Sequence, residues 1–370
     1  MSLEIIKVKD KKQLSDFVKF PYELYSQNDL WVPPIFNEQM DFFEIKKNPF
    51  FEHSKAQLFY IKNNGEILAR LSAHTNTMHN KFHNDKKGFF GFFESINDNS
   101  VVRLLFDNAV EWLKDQGCNV ISGPFNFTTN DECGLLVDGF NSSPFVMMTH
   151  NFEYYQDLLT SYGFKKAMDL YAWLLESDNM PPFLEAVGKR MTKSNQFTVR
   201  CLNKKNLKED IETVFEIYQK AWERNWGFVP MTKKEFDHLV KILLPIVNPE
   251  LVFIAESEGK PAGFSVALPD YNFILKKLNG KKTLPGIIKY LYFKNRLKSL
   301  RVITMGVIKE YQGKGIDSLF YYYTWKNGMK AGFNRGEFSW VLETNTMMNK
   351  IAKHLGADIH KIYRVFEKDI

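Results

Sequence analysis

The second half of the chain carries the clearer alternation of apolar and polar positions. Residues 197–202 alternate with the two-residue period of a strand, and apolar residues then recur at helical spacing from Leu207 to Trp222. A further helix is predicted from Thr232, where Thr-Lys-Lys-Glu is a capping box. Residues 251–268 then predict a hairpin around a Glu-Gly-Lys turn. The pattern therefore predicts a strand, two helices and a hairpin in succession.

More elements follow an insertion at about residues 270–298. Residues 299–308 are the most strand-like in the chain, and they lead into a glycine-punctuated turn and a helix. The remaining predictions are a strand at 337–343, a helix at 346–355 and a last strand at 359–368.

The first half repeats this order of elements more loosely. It predicts a hairpin at 56–74, strands at 88–95 and 119–126, a helix at 100–116, a helix ending near Gly163, and a closing strand at 165–176. We therefore predict a mixed α/β fold built by tandem duplication. The first domain is expected at 1–176, a linker at 177–196 marked by Asp178, Pro181 and Pro182, and the second domain at 197–370.

Composition agrees with two folded domains in 370 residues. The chain has 44% apolar and 25% charged residues, which supports a sizeable core. Its net charge of +6 is a mild excess, and a nucleic-acid binder usually concentrates more positive charge. Nucleic acid is therefore not an expected partner.

The residues that hold metals or form disulfides show no organised spacing. The three cysteines, Cys118, Cys133 and Cys201, are odd in number and lack a CxxC pair, which favours a reducing cytoplasm and no zinc site. His74, His79 and His83 are interpreted as solvated loop residues rather than metal ligands. The N-terminus lacks the apolar run of a signal peptide, and no stretch approaches 18 apolar residues, so we expect a cytoplasmic protein without a transmembrane segment.

The sharpest motif is the turn Gln312-Gly313-Lys314-Gly315-Ile316-Asp317, which lies between a strong strand and a helix. Glycines let backbone N–H groups converge on a ligand, and a helix N-terminus carries partial positive charge. A pyrophosphate fits such a turn, although a turn that merely needs positive φ is an equal alternative. The motif is neither a P-loop nor Gly-x-Gly-x-x-Gly.

This turn resembles the acyl-CoA loop of the GNAT superfamily of N-acyltransferases, Arg/Gln-x-x-Gly-x-Gly/Ala. Gln312 and Gly315 match its first and fourth positions, whereas Asp317 stands where the family prefers Gly or Ala. The order of elements across 198–368 is also similar to that family. The resemblance implies two GNAT-like domains in tandem, with an acyl-CoA, such as acetyl-CoA, as co-substrate and no metal.

The same resemblance implies positions for the cofactor and for the chemistry. The thioester would lie beside Met305, Gly306, Val307 and Ile308, and the phosphates on residues 312–317. The expected activity is transfer of an acyl group, with acetyl as the first expectation, to a small-molecule or peptide amine that attacks the thioester directly. The position of the family's usual acidic tyrosine is Ala352, so Tyr363 is a substitute candidate for the acid.

Other candidates for the acceptor site come from the polar ends of strands and from one loop. Glu343 follows a predicted strand and is the candidate base or amine-binding carboxylate, with Asn345 beside it, although a helix cap explains these residues equally well. The loop from Arg224 contributes Asn225, Trp226 and Phe228 as candidate acceptor contacts, for which simple packing is the alternative.

The first half lacks the glycine turn, so we expect it to shape the substrate site or to brace the other half. Its polar segment 123–140 offers Asn126, Asn130 and Asp138, together with Asn151, as candidates to line a cleft between the halves, with an ordinary loop as the alternative. Tandem GNAT-like halves also occur in N-myristoyltransferases and FemABX aminoacyltransferases, so a larger acyl group or acceptor remains open. A non-catalytic acyl-CoA-binding or interaction protein is the alternative function, because Ala352 and Asp317 depart from the catalytic pattern.

Positive charge is concentrated in one segment. Residues 271–309 contain ten Lys or Arg and no Asp or Glu, interleaved with apolar residues. Three interpretations are open: a solvated helix, a docking face for an acidic partner or for CoA phosphates, and a membrane-surface contact.

Overall fold

The computed structural model describes residues 3–223, 225–281 and 283–370, so Met1, Ser2, Arg224 and Lys282 lie outside the described residues. The strands in the described part are β1 (Glu4–Lys7), β2 (Ala56–Asn63), β3 (Glu66–Thr75), β4 (Lys87–Ser95), β5 (Val120–Gly123), β6 (Phe125–Asn126), β7 (Glu132–Cys133), β8 (Leu135–Asp138), β9 (Lys165–Glu176), β10 (Thr198–Cys201), β11 (Val252–Ser257), β12 (Lys260–Pro269), β13 (Ser299–Val307), β14 (Arg335–Leu342) and β15 (Asp358–Asp369).

The helices are α1 (Lys11–Leu24), α2 (Phe36–Phe42), α3 (Thr77–His83), α4 (Asn99–Asp115), α5 (Tyr155–Tyr162), α6 (Pro182–Ser194), α7 (Leu207–Ala221), α8 (Lys233–Leu243), α9 (Asn272–Leu278), α10 (Leu284–Phe293), α11 (Ile316–Lys330) and α12 (Thr346–His354). The predicted capping box at the start of α8 is confirmed. The Thr232 backbone N–H donates to the Glu235 carboxylate at 2.8 Å, and the Thr232 hydroxyl accepts from the Glu235 N–H.

The chain folds into two compact units. Unit 1 contains Met1–Leu170, Ile274–Lys289 and Lys361–Ile370, and unit 2 contains Tyr171–Phe273 and Tyr290–His360. The order of strands is the same in both. Three antiparallel pairs, β1 to β4 in unit 1 and β10 to β13 in unit 2, are followed by one parallel pair, β4 with β5 and β13 with β14. The predicted duplication of one mixed α/β unit is therefore present in the strand topology.

Each unit packs helices onto its own sheet. In unit 1, Leu105 and Phe106 of α4 and Tyr155 of α5 are buried against strands β2 to β4. In unit 2, Leu319 and Phe320 of α11 pack on β11 and β12. Because α4 and α11 each cross over between the two strands of the parallel pair, they occupy equivalent places in the duplicated topology.

The boundaries of the units differ from the predicted domain boundaries in four places. Residues 171–176, predicted as the end of the first domain, belong to unit 2. The predicted linker 177–196 contains helix α6, which packs on α11. A Cβ added to Gly188 would lie 2.2 Å from the ring of Tyr322. Residues 361–370 belong to unit 1, because they pair with β5 and β8. The inserted residues 274–289 also belong to unit 1, where the Phe36 N–H donates to the Gly280 carbonyl at 3.1 Å.

The histidines of unit 1 are less exposed than predicted. His74 lies on β3 with no exposed surface and contacts the Phe127 carbonyl through Nε2 at 2.9 Å. His79 is also buried, with its Nε2 3.3 Å from an Asp85 carboxylate oxygen. The interpretation of these two as solvated loop residues is wrong. Strand β3 is buried on both faces from Ala69 to His74, and the imidazole of His74 lies among Phe50, Phe89 and Phe127. The His79 ring packs against that of Phe89 with centres 4.9 Å apart, whereas His83, at the end of α3, is exposed.

In the described part of the chain, no helix has the length and apolar character needed to cross a membrane.

Candidate active site

The strands β13 and β14 separate just before the predicted thioester site, which begins at Met305. Their parallel pairing joins Ser299–Val302 to Arg335–Phe338, although β13 continues to Val307. On its other side β13 stays paired with β12 through Val307, with a bulge that leaves Ile303 as an extra residue. Among the described residues, the pairs recorded for β13 and β14 thus stop where the bulge begins. The free edge of Ile303–Val307 can hydrogen-bond an extended ligand.

Position 306 on this edge has room only for glycine, because a tryptophan ring packs against it. A Cβ at Gly306 would lie 2.3 Å from the ring of Trp222, the C-cap residue that follows α7. The same ring lies 5.4 Å from the ring of Phe264 on β12. An aromatic side chain therefore covers one face of the predicted thioester strand, and only glycine leaves room for it.

The glycine turn begins with a short 3₁₀ helix at Lys309–Tyr311 and ends at the start of α11. Gln312 ties the turn to β13, since its Nε2 donates to the Val307 carbonyl at 3.0 Å. Gly313 and Gly315 both have positive φ, 72° and 91°. A Cβ at Gly313 would meet nothing within 4 Å, whereas one at Gly315 would lie 2.8 Å from Met191 of α6. The turn is thus open at Gly313 and covered at Gly315.

Charged and apolar residues of the turn have separate places. Lys314 is exposed, with its Nζ 5.5 Å from the centre of the Tyr311 ring. Asp317 is half-buried in the first turn of α11, where a carboxylate favours the helix but opposes a phosphate. Burial first, and then the charge of Asp317, raise the pKa of the Tyr321 hydroxyl. Ile316 is 1% exposed and packs in the core of unit 2, so its side chain cannot contact a ligand at the surface.

The predicted acceptor loop packs on the end of α7. The Asn225 N–H donates to the Trp222 carbonyl at 2.8 Å, and the Asn225 side chain is exposed. Trp226 is half-buried, and Phe228 is buried with its ring 5.8 Å from that of Tyr218. The structure thus brings this loop to Trp222, which itself covers Gly306.

Glu343 and Asn345 lie directly after β14. The Asn345 side chain caps α12, because its Oδ1 accepts from the Met348 N–H at 3.2 Å. Glu343 is half-buried, and its carbonyl accepts from Asn349 at 3.3 Å. The capping role explains Asn345, and the carboxylate of Glu343 remains the candidate at this strand end.

Tyr363 belongs to unit 1, whereas the glycine turn belongs to unit 2. It has no exposed surface and lies opposite Leu136 in the pairing of β15 with β8. Its Cβ is 3.0 Å from the position that a Cβ on Gly134 would take. Tyr363 therefore packs tightly between strands of the first unit.

Sequence reasoning missed a buried ionic cluster on the paired part of β13 and β14. Glu337 has no exposed surface, and its carboxylate accepts from the Ser339 hydroxyl at 2.5 Å. Arg301 donates through Nε to Ser339 at 2.7 Å and lies 3.6 Å from Glu337. His360 Nε2 lies 2.7 Å from the other oxygen of Glu337. The available signal was one Arg and one Glu inside otherwise apolar strand patterns.

Unit 1 contains a second cluster that the sequence did not reveal. Glu94, near the end of β4, accepts hydrogen bonds from the hydroxyls of Tyr25 at 2.7 Å and Tyr155 at 2.8 Å. Burial raises the pKa of Glu94 to about 7, and the positive charge of Arg70 and the two hydroxyl bonds lower it in part. The cluster joins the end of α1, β4 and the start of α5.

In unit 1 the opening equivalent to that beside β13 is filled by the chain itself. The parallel pairing of β4 with β5 stops at Phe89, and the Asn126 Oδ1 then accepts from the Phe92 N–H at 2.7 Å. A Cβ at Gly91 would overlap the Phe125 carbonyl at 1.7 Å. Asn126 and Phe125 therefore occupy this edge in unit 1.

Comparison with solved structures identifies proteins with the same fold. The structure resembles a tandem GNAT protein from the clavulanic acid biosynthesis pathway with a TM-score of 0.59, and 100% of this chain and 98% of that chain are covered at 10% identity. The predicted GNAT resemblance and the tandem arrangement are thereby confirmed at the level of the fold. No family model matches the sequence.

Comparison with curated proteins finds two relatives along nearly the whole chain. Protein YghO of Escherichia coli strain K12 is 35% identical, covering 98% of this chain and 94% of its own. A bacterial ceramide synthase of Caulobacter vibrioides is 34% identical, covering 99% of this chain and 97% of its own. The chain belongs to the family of these two proteins. The chain thus combines membership of this family with the tandem GNAT fold.

Proposed function

We propose that this chain is an acyl-CoA-dependent N-acyltransferase whose acceptor is a long-chain amine. The observation that carries the proposal is the 34% identity, over 99% of the chain, to a protein named bacterial ceramide synthase. A ceramide is the amide of a fatty acid with a long-chain amino alcohol. We therefore favour a long acyl chain over the acetyl group that the GNAT resemblance first implies.

The features of the second unit support a place for the acyl-CoA. The separated edge of β13 at Ile303–Val307 offers backbone groups to the pantetheine arm and to the thioester carbonyl, which is the carbonyl polarisation this reaction needs. The open turn at Gly313, the exposed Lys314 and the start of α11 fit its phosphates. Asp317 weakens that fit by one negative charge, so we assign the phosphates to the Gly313 side of the turn.

The reaction joins the amine nitrogen to the thioester carbonyl carbon and breaks the carbon–sulfur bond, with CoA thiol as the second product. The nitrogen loses one proton in this step, and the departing thiolate gains one. We assign the acceptance of the amine proton to the Glu343 carboxylate, because it lies at the end of β14, half-buried, where strand ends of such sheets carry their polar groups. Because Tyr363 has no exposed surface, we assign it no role in proton transfer.

The proposal is tested by mass spectrometry of reactions that contain a long-chain amino alcohol and either palmitoyl-CoA or acetyl-CoA. We expect amide and free CoA thiol in equal amounts, with palmitoyl-CoA the better donor. Glu343→Gln should lower kcat about a hundredfold or more, since a positioned base typically contributes that much. Glu216→Gln, an exposed carboxylate on α7, is the matched control.

Two results would contradict parts of this proposal. Absence of amide with both donors would favour the non-catalytic acyl-CoA-binding protein that the departures at Ala352 and Asp317 also allow. Amide formation with an unchanged rate in Glu343→Gln would keep the activity but remove Glu343 as the base.

A further inference from the structure

The basic segment 271–309 presents its charge at the surface. Of its ten Lys and Arg residues, Arg301 is buried beside Glu337 and Lys282 lies outside the described residues. The other eight are exposed: Lys276, Lys277, Lys281, Lys289, Lys294, Arg296, Lys298 and Lys309. The segment contains no Asp or Glu, so its own contribution to the surface is positive charge alone.

Helix α10 within this segment has one packed face and one exposed apolar face. The rings of Tyr290 and Phe293 pack against those of Tyr271 and Phe273, with centres 6.0 Å and 5.4 Å apart. On the opposite face, Ile288, Leu291 and Tyr292 follow helical spacing. Their exposed fractions are 70%, 54% and 54%.

Basic side chains border the exposed apolar face. Lys289 lies beside it on the helix, and Lys294 and Arg296 follow the last turn. The Arg296 guanidinium lies 3.9 Å from the centre of the Tyr292 ring and donates to its hydroxyl at 2.6 Å. Apolar residues on one helix face with Lys and Arg at its borders are typical of helices that lie in a membrane interface.

We propose that α10 and its basic borders dock this protein on the surface of an anionic lipid bilayer. The helix has ten residues and is therefore about 15 Å long, too short to cross the apolar core. It would lie along the interface, with Ile288, Leu291 and Tyr292 among the acyl chains and the Lys and Arg side chains against the headgroups. An acidic protein would pair with the basic side chains but would leave the apolar face of α10 uncovered. An anionic bilayer supplies headgroups for the basic side chains and acyl chains for the apolar face.

The proposal goes beyond the proposed activity and does not depend on it. Binding to vesicles requires only the surface of α10. A protein with no acyltransferase activity would still bind if the proposal is right, and an active enzyme would fail to bind if it is wrong.

The test is co-sedimentation of the full-length protein with vesicles of phosphatidylcholine alone or with phosphatidylglycerol added. We expect binding to the anionic vesicles, weakened as salt is raised. Ile288→Glu and the double variant Lys289→Glu/Lys294→Glu should each bind at least about tenfold more weakly, given the contribution of each basic residue at such a surface. All three positions are exposed, so the variants should keep the circular dichroism spectrum of the natural protein.

Matched variants elsewhere on the chain separate this surface from a general effect of charge. Ile45 is 72% exposed, close to the value for Ile288, and Lys204 and Lys205 are exposed neighbours. Ile45→Glu and Lys204→Glu/Lys205→Glu should bind anionic vesicles as the natural protein does. The proposal is overturned if the protein does not bind anionic vesicles, or if each α10 variant binds as its matched control does.

Discussion

Replacing Glu94 by Gln should change how the stability of the first unit depends on pH. Burial raises the pKa of this carboxyl from 4.5 to about 7 in the folded chain. The folded state therefore holds the proton more tightly than the unfolded state. Stability from this group is fully present below about pH 4.5 and is lost as pH rises toward about 7.

The size of the effect follows from the shift. A displacement from 4.5 to about 7 corresponds to about 3 kcal/mol, and to about 2 kcal/mol after allowance for the part of the half-buried side chain that solvent reaches. Gln is always neutral and can still accept from the hydroxyls of Tyr25 and Tyr155. The free energy of unfolding of Glu94→Gln relative to the natural protein should therefore rise by about 2 to 3 kcal/mol between pH 4.5 and pH 8.

The change with pH, rather than the value at one pH, is the informative quantity. In Glu94→Gln the buried Arg70 guanidinium loses a negatively charged partner. This loss lowers the unfolding free energy of the variant by a constant amount above pH 7. The imidazole of His74, with its pKa lowered to about 3 by burial, makes the natural protein less stable as pH falls, and this contribution is common to both proteins.

The assay is hydrogen exchange of the β4 peptides, followed by mass spectrometry at each pH, with variant and natural protein compared under identical conditions. Glu4→Gln, at an exposed position on β1, gives the baseline for removing a carboxylate. If the difference between Glu94→Gln and the natural protein is the same at pH 5 and pH 8, the reasoning about burial of Glu94 is refuted.

Two further substitutions test the geometry of the strand edges. Gly306→Ala should destabilise unit 2 by about 1 to 3 kcal/mol through the clash with Trp222. Gly336→Ala on β14, where the nearest contacts of the added Cβ would be at 3.6 Å, should destabilise it less. Thermal unfolding measures both variants, and equal losses of unfolding free energy would contradict the account. Asn126→Ala should destabilise unit 1 by about 1 to 3 kcal/mol, because the Phe92 N–H loses its acceptor. Urea unfolding measures this loss, and an unchanged midpoint would show that Asn126 does not stabilise the edge of β4.

Local patterns along the chain predicted most of the elements of the fold. The capping box at Thr232 and the turn at Gly313 and Gly315 are set by nearby residues, and both have the expected conformation. The predicted linker shows the limit of this reasoning. Pro181 and Pro182 indicated a break, yet Pro182 is the first residue of α6, a position that proline tolerates well.

Long-range pairing could not be read from the sequence. Residues 361–370 have the alternation of a strand, but alternation does not name the partner, and these residues pair with β5 and β8 of unit 1. Tyr363 lies on this strand and therefore belongs to unit 1. The cluster of Arg301, Glu337 and His360 also depends on strand register, which only the folded chain fixes.

The measurement that tests the central claim most directly is calorimetric titration of palmitoyl-CoA into the natural protein, Gly313→Glu and Gly332→Glu. Both glycines have positive φ, 72° and 89°, and a Cβ at either would meet nothing within 4 Å, so the two variants share the same backbone strain. A carboxylate about 5 Å from a phosphate costs about 2 kcal/mol at an effective dielectric of about 40. If the phosphates lie on this turn, Gly313→Glu will bind at least about tenfold more weakly than Gly332→Glu, and equal affinities of the two variants will contradict the account.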